Sequence, residues 1–266
     1  MAASNGATAN FAGVRPGCEK QCGDITVPFP FGIAKGDDRS CSLNDAFSLT
    51  CNTSSDRTAP ELYLGSNLNL NFVHSISDSE LRIKTGSIGV AYRSYNPDGS
   101  IYDSMSAWSM LEDDRFTLSE KNKFTVVGCD DYSLIKGRSL KAPTLEDDFS
   151  SGCITSCIND QSGIAKDGKC SGKGCCEISM PKGLRDWRLE LDSFGNHTDV
   201  SSFNQFGLAF LGENGTFEFR GATDLANIRG LYKRIWDTVP VVVDWVRNCT
   251  QQKLLTRGYR MQRHVQ

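Results

Sequence analysis

Eleven cysteines constrain this 266-residue chain more than any other feature: Cys18, Cys22, Cys41, Cys51, Cys129, Cys153, Cys157, Cys170, Cys175, Cys176 and Cys249. A protein of a reducing compartment rarely carries so many unless they hold metal. Cysteine zinc sites usually show two CxxC-like pairs. Here the close pairs, Cys18/Cys22 and Cys153/Cys157, have three residues between them, and Cys175 and Cys176 are adjacent. Neighbouring cysteines seldom ligate one tetrahedral ion together, yet they are common in disulfide frameworks. The spacing predicts disulfides, no metal and an oxidising compartment. Four N-x-S/T sequons, at Asn52, Asn196, Asn214 and Asn248, agree with passage through the secretory pathway.

The chain between the cysteines reads as mainly β. In Val27-Pro28-Phe29-Pro30-Phe31-Gly32, proline fixes φ and removes donors, so an extended piece is expected, with phenylalanines plugging a small core. Leu68 to Phe72 and Leu81 to Lys84 alternate with period two, and Asn96-Pro97-Asp98-Gly99 is a turn. Further strands are expected at 124–127, 187–191, 207–211, 216–219 and 239–245, with a hairpin turn at Asn214-Gly215. The stretch 129–176 reads as loop-rich. Leu225, Ile228, Tyr232 and Trp236 share one face of a short helix that Gly230 weakens. The expected fold class is mainly β and disulfide-rich: two lobes of short antiparallel strands and long loops, with one short helix.

Nothing in the sequence marks an enzyme. Three histidines are present, His74, His197 and His264, and no local motif holds one between a nucleophile and a carboxylate. The chain lacks G-x-S-x-G, H-E-x-x-H and P-loop motifs, so no catalytic residue and no cofactor are assigned. The acidic clusters Glu112-Asp113-Asp114 and Glu146-Asp147-Asp148 read as solvated loops, without EF-hand spacing. A formal net charge of −3 lacks the basic excess of a duplex nucleic-acid binder. Residues 220–266 carry nine basic and three acidic side chains, partly in the tail Lys253 to Arg263. No run of about 20 apolar residues spans a membrane. Met1 to Gly17 has no charged or apolar leader region, so the expectation is that a signal peptide and any anchor lie outside this chain or that the gene model is incomplete. Phe29, Phe31, Tyr92, Tyr95 and Trp108 are aromatics able to stack on sugar faces, although core packing is the commoner fate of such rings.

Several motifs resemble a known family. Pro16-Gly17-Cys18, the run Cys22-Gly23-Asp24-Ile25-Thr26-Val27-Pro28-Phe29-Pro30-Phe31-Gly32-Ile33, Cys41, and Phe47-Ser48-Leu49-Thr50-Cys51-Asn52 are similar to the start of the galacturonan-binding domain of plant wall-associated receptor kinases. Asn122 to Cys129, Ser151-Gly152-Cys153 with Cys157, Gly174-Cys175-Cys176 with Pro181 to Leu184, and Val239 to Trp245 resemble later parts of those ectodomains. The resemblance implies an extracellular or cell-wall module that binds pectin, as polygalacturonic acid or its oligomers. In the family, such a module stands ahead of EGF repeats, a membrane span and a kinase. The alternative is a secreted module that binds a protein or peptide and has lost polysaccharide affinity.

Family positions usually held by cysteine carry Ser94 and Gln205 here, and the expectation is that those two positions pair with each other. Cys249 lacks a following partner, which leaves ten paired cysteines, five disulfides and one stray thiol. The tail then reads as a truncation or an altered reading frame. The expected organisation is a flexible arm at 1–17, a galacturonan-binding-like domain at 18–110, a second cysteine-rich lobe at 111–250 and an atypical tail at 251–266. Arg15, Lys20, Lys35 and Arg39 are the candidate contacts for a polyanion, although residues 1–51 hold four basic and five acidic side chains.

Overall fold

Two prolines and two crossed disulfides set the local structure of the first unit. The computed structural model describes residues 14, 16–34, 41–53, 59–65, 72–111, 113–142, 146–157, 164–165 and 168–247. Their contacts cluster into two units, residues 1–78 and 79–266. In the first unit, β1 (Gln21–Cys22) and β2 (Ile25–Thr26) form a small antiparallel hairpin. Beyond it, Phe31 donates its backbone N–H to Pro28 O at 2.9 Å. This turn swings the Phe31 ring into the core, edge-on to Phe47 with centroids 5.1 Å apart. β3 (Gly32–Ile33), β4 (Ser48–Asn52), β5 (Glu61–Leu64) and β6 (Phe72–Ile76) make a small sheet in that order. β3 and β4 are parallel and the other pairs antiparallel. Ile33, Leu49, Leu62 and Val73 fill its buried side.

Cys18 bonds Cys41 and Cys22 bonds Cys51, with Cα separations of 5.6 and 5.8 Å. The bridges interleave along the chain and close segments of 23 and 29 residues. Each removes roughly 3.5 kcal/mol of unfolded-chain entropy in the loop-closure treatment. Glycine at 32 is required by close approach: a Cβ there would lie 2.2 Å from the Cys41 carbonyl carbon.

The second unit is built in three layers. Its strands are β7 (Glu80–Lys84), β8 (Val90–Tyr95), β9 (Ile101–Met105), β10 (Ala107–Met110), β11 (Phe116–Leu118), β12 (Asn122–Val127), β13 (Asp130–Ser139), β14 (Phe149–Ser156), β15 (Cys175–Ser179), β16 (Leu184–Ser193), β17 (Phe206–Glu213) and β18 (Pro240–Trp245). Two helices, α1 (Ala222–Leu225) and α2 (Ile228–Thr238), precede β18. One antiparallel sheet runs β14-β13-β16-β11-β18-β7, with β10 also on β16. The other runs β15-β12-β17-β8-β9. β17 is central and sandwiched: the first sheet lies on one face, and a core with Leu225, Leu231 and Ile235 of the helices lies on the other. That placement explains the unbroken apolar run Gly207 to Leu211, since a strand buried on both faces has no period-two signal. Cys129–Cys157, Cys153–Cys176 and Cys170–Cys175 stitch one end of this unit.

The mainly β, five-disulfide reading holds, and three local expectations are corrected. Residues 129–176 are not loop-rich throughout, since β13 and β14 pair over eight positions there. The buried side of β13 consists of Asp131, Ser133, Ile135 and Gly137, so its alternation is invisible to a hydrophobicity pattern. Residues 216–219 form no strand, although the Asn214-Gly215 turn is present. β17 already pairs β12 on one side and β8 on the other, and Leu211 N donates to Gly89 O beyond β8. No edge is left for a returning strand, so Phe217 packs its ring on Phe210 instead. The single expected helix is two, because Asn227 ends the first turn and caps α2 by accepting the Gly230 N–H at 2.9 Å. Among the described residues, no helix is long and apolar enough to cross a membrane.

Candidate functional site

The hairpin of the first unit holds the one candidate cation that the structure describes. Gly23 takes φ +56° at its turn, a conformation that favours glycine, which lets two-residue strands meet. Lys20 stands just before β1. Its carbonyl accepts the Val27 N–H at 2.9 Å, which fixes its backbone, while its side chain is exposed. Arg15, Lys35 and Arg39 lie outside the described residues. Cys41, which ends the segment carrying Lys35 and Arg39, is bonded to Cys18, two positions from Lys20. Among the described residues up to 78, Lys20 is the sole Lys or Arg, beside Glu19, Asp24, Asp45, Glu61 and Asp78.

Four of the five candidate aromatics pack against the protein. Phe31 and Tyr95 are buried, Phe29 is half-buried, and Tyr92 donates its hydroxyl to Asp103 at 2.8 Å while meeting Tyr232 edge-on. Trp108 is the exception, 69% exposed on β10. The acidic clusters are tied to the protein. Asp113 pairs with Arg115, Asp114 with Arg185 and Asp147 with Arg188, and Asp148 accepts from Ser139. Of the sequons, Asn52 is half-buried at the end of β4, Asn196 and Asn214 are exposed, and Asn248 and Cys249 lie outside the described residues.

His74 is exposed, and His264 lies outside the described residues. His197 is a different case. Its Nε2 lies 3.0 Å from Asp131 Oδ1 and its Nδ1 lies 3.1 Å from Asn204 O, with both side chains of the acid–base pair fully buried. Burial lowers the imidazole pKa, but the Asp131 hydrogen bond and charge outweigh it and leave His197 above its ordinary 6.5. Burial raises Asp131, against the opposing pull of His197. Both ring nitrogens face oxygen acceptors, so the doubly protonated ring satisfies both. Tyr95 stacks on it at 4.7 Å, and Gly128 and Gly207 leave room for the carboxylate, where a Cβ would come within 2 Å. A catalytic dyad needs its second nitrogen aimed at a nucleophile. Here that nitrogen is tied to a backbone carbonyl in a closed core, so the pair is structural.

Asp130 secures the same loop from outside, accepting from Ser193 Oγ and from the backbone N–H groups of Gly195 and His197. Ser94 and Gln205, far apart in sequence, border one cavity, and Tyr95 N donates to Gln205 O at 2.8 Å. No sequence signal joined Asp131, Asn204 and His197, because the loop between β16 and β17 brings the last two to β13 only in the folded chain.

Residues 18–85 match the family described as wall-associated receptor kinase galacturonan-binding. Wall-associated receptor kinase 2 of Arabidopsis thaliana is 35% identical over 233 residues, covering 87% of this chain and 28% of that protein. Wall-associated receptor kinase 5 of the same plant is 29% identical over 92% of the chain and 30% of its own length. Wall-associated receptor kinase 1 is 29% identical over 86% and 27%. No solved structure matches the chain. Residues 18–85 carry the galacturonan-binding domain of wall-associated receptor kinases, and the chain as a whole is similar to the corresponding region of these kinases. It spans less than a third of the length of these relatives.

Proposed function

We propose that the chain is an extracellular polysaccharide-binding module that holds pectin, as polygalacturonic acid or oligogalacturonides, in the manner of a receptor ectodomain or a truncated form of one. The family match over residues 18–85 carries this reading. Five disulfides favour an oxidising compartment outside the cell, consistent with the cell wall or the plasma-membrane surface.

The ligand is a chain of carboxylates, and the proposed contacts are Lys20 with Arg15, Lys35 and Arg39. The Cys18–Cys41 bridge anchors one end of the segment carrying Lys35 and Arg39 beside the residues that lead to Lys20. One exposed ion pair is worth about 0–1 kcal/mol, so affinity has to come from several contacts along one polymer and many copies in the wall. One observation favours a second reading, a protein- or peptide-binding module: the described surface of the first unit has five carboxylates against one lysine.

The two readings part in one experiment. The purified, oxidised chain is titrated with polygalacturonate and with a neutral glucan at low and high salt. Pectin binding predicts selective uptake of the polyanion, weakened by salt and by the combined Arg15, Lys20, Lys35 and Arg39 to Ala substitutions. Absence of polygalacturonate binding by the folded protein supports the second reading. Salt-insensitive binding rejects the ion-pair mechanism.

A further inference from the structure

The second unit contains a cavity of about 550 Å³ that the pectin reading does not use. It opens between the β8–β9 hairpin, the turns at 201–205 and the junction of α1 and α2. That volume falls within the usual range of small-molecule sites. Its polar wall is made of uncharged groups, among them Ser94, Asn96, Ser202 and Gln205, and its apolar wall of Phe203, Phe206, Leu225 and Ile228. Among the described residues, no Lys, Arg, Asp or Glu lines it. Tyr102 completes the rim from β9, the edge strand of its sheet, and its ring is 73% exposed.

We infer that this cavity is a second carbohydrate site, for an uncharged sugar. A pyranose presents an apolar C–H face and a ring of hydroxyls that both donate and accept. Exposed tyrosine and half-buried phenylalanine supply flat contact at low entropic cost, and amide and hydroxyl groups answer the hydroxyls in either role. The Gln205 amide nitrogen is committed to Ser201 O at 3.0 Å and the Asn96 amide nitrogen to Ser100 Oγ at 2.9 Å. These bonds fix both carboxamides with their oxygens available as acceptors. A uronate carboxylate entering the same space would lose its water and meet no cation among the described lining residues, which disfavours it. The cavity therefore selects against the polyanion proposed for the first unit.

An uncharged sugar can reach the cavity from two sources. One is a free neutral oligosaccharide. The other is a glycan on the chain itself. The turn carrying Asn96 packs on the sequon Asn196-His197-Thr198, where a Cβ on Gly99 would stand 3.2 Å from the Asn196 Cβ. A glycan on Asn196 thus begins beside the cavity wall.

The test uses the full oxidised chain made in a glycosylating host, in four forms: unsubstituted, Thr198→Ala to remove that glycan, and Thr198→Ala combined with either Tyr102→Ala or Gln205→Ala. Each is titrated calorimetrically with uncharged gluco-, xylo-, galacto- and manno-oligosaccharides and with trigalacturonate, and each is checked for an unchanged melting temperature. Binding of a neutral sugar to both the unsubstituted and the T198A chain, weakened about tenfold by Y102A or Q205A, identifies a site for free oligosaccharide. Binding that appears only in T198A assigns the cavity to the chain's own glycan. The inference fails if no neutral sugar binds at millimolar concentration, if Y102A and Q205A change nothing, or if trigalacturonate competes at the same site. Polygalacturonate binding through the first unit should survive all these substitutions, so the two proposals succeed or fail separately.

Discussion

Removing either partner of the buried Asp131–His197 pair should destabilise the second unit unequally. His197 sits at φ +59°, so its substitute must tolerate a left-handed backbone, and asparagine does. His197→Asn shortens the side chain and strands the Asp131 carboxylate in a core where Oδ2 already lacks a hydrogen-bond partner among the described residues. An uncompensated buried charge of this kind costs about 3–5 kcal/mol. Asp131→Asn keeps the shape and removes the charge, and is expected to cost about 1–3 kcal/mol. For a unit of this size, about 4 kcal/mol lowers the melting temperature by roughly 10 °C.

pH separates the two effects. His197 has a raised pKa, so its stabilisation is complete below about pH 6.5 and is lost as the pH rises through the folded value. The raised Asp131 acts in the same direction, because the folded state again holds the proton more tightly. Asp130 also faces this loop through the His197 N–H and leaves the sign unchanged. The unsubstituted protein should therefore melt lower at pH 9 than at pH 6, D131N should flatten that slope, and the H197N penalty should shrink in acid, where Asp131 takes up a proton. Differential scanning calorimetry with disulfides intact measures all three. An H197N protein melting within about 1 °C of the parent at neutral pH, or a parent stability that rises from pH 6 to pH 9, would refute the reasoning.

Other substitutions probe the scaffold. Replacing Cys153 and Cys176 by serine releases a 23-residue segment, and replacing Cys170 and Cys175 releases a 5-residue one. The first should cost about 3.4 kcal/mol and the second about 2 kcal/mol, and equal losses in urea unfolding would contradict the loop-length argument. Gly86→Ala places a Cβ 1.6 Å from the Trp236 ring and should cost about 1–3 kcal/mol, read as a lower unfolding midpoint. Ser94→Cys with Gln205→Cys, at the rim of the shared cavity, should form a sixth bridge, which thiol titration of the denatured, unreduced protein detects as no added free thiol.

The cysteine count and spacing alone settled the chemical class of the scaffold. Alternation at Leu81 to Lys84, the proline-glycine turn at 96–99 and the apolar run at 239–245 gave strands and turns where they occur, because each is decided by neighbours within a few residues. Those signals fail where the partner is distant. β13 buries aspartate, serine and glycine, because His197 neutralises one of them and β14 and β16 satisfy its backbone, and none of this is written locally. Residues 216–219 have strand composition yet lie outside the sheet, since β12 and β8 had already taken both edges of β17. The same limit applies to the surfaces. Lys20 could be named from its type, but the uncharged cavity joins a hairpin, a turn and a helix junction. Composition and spacing therefore determined that this chain builds disulfide cross-links and a mainly β scaffold, and only the tertiary structure decided which cysteines pair and which distant side chains share a core or a cavity, because that depends on pairings that close loops of a hundred residues or more.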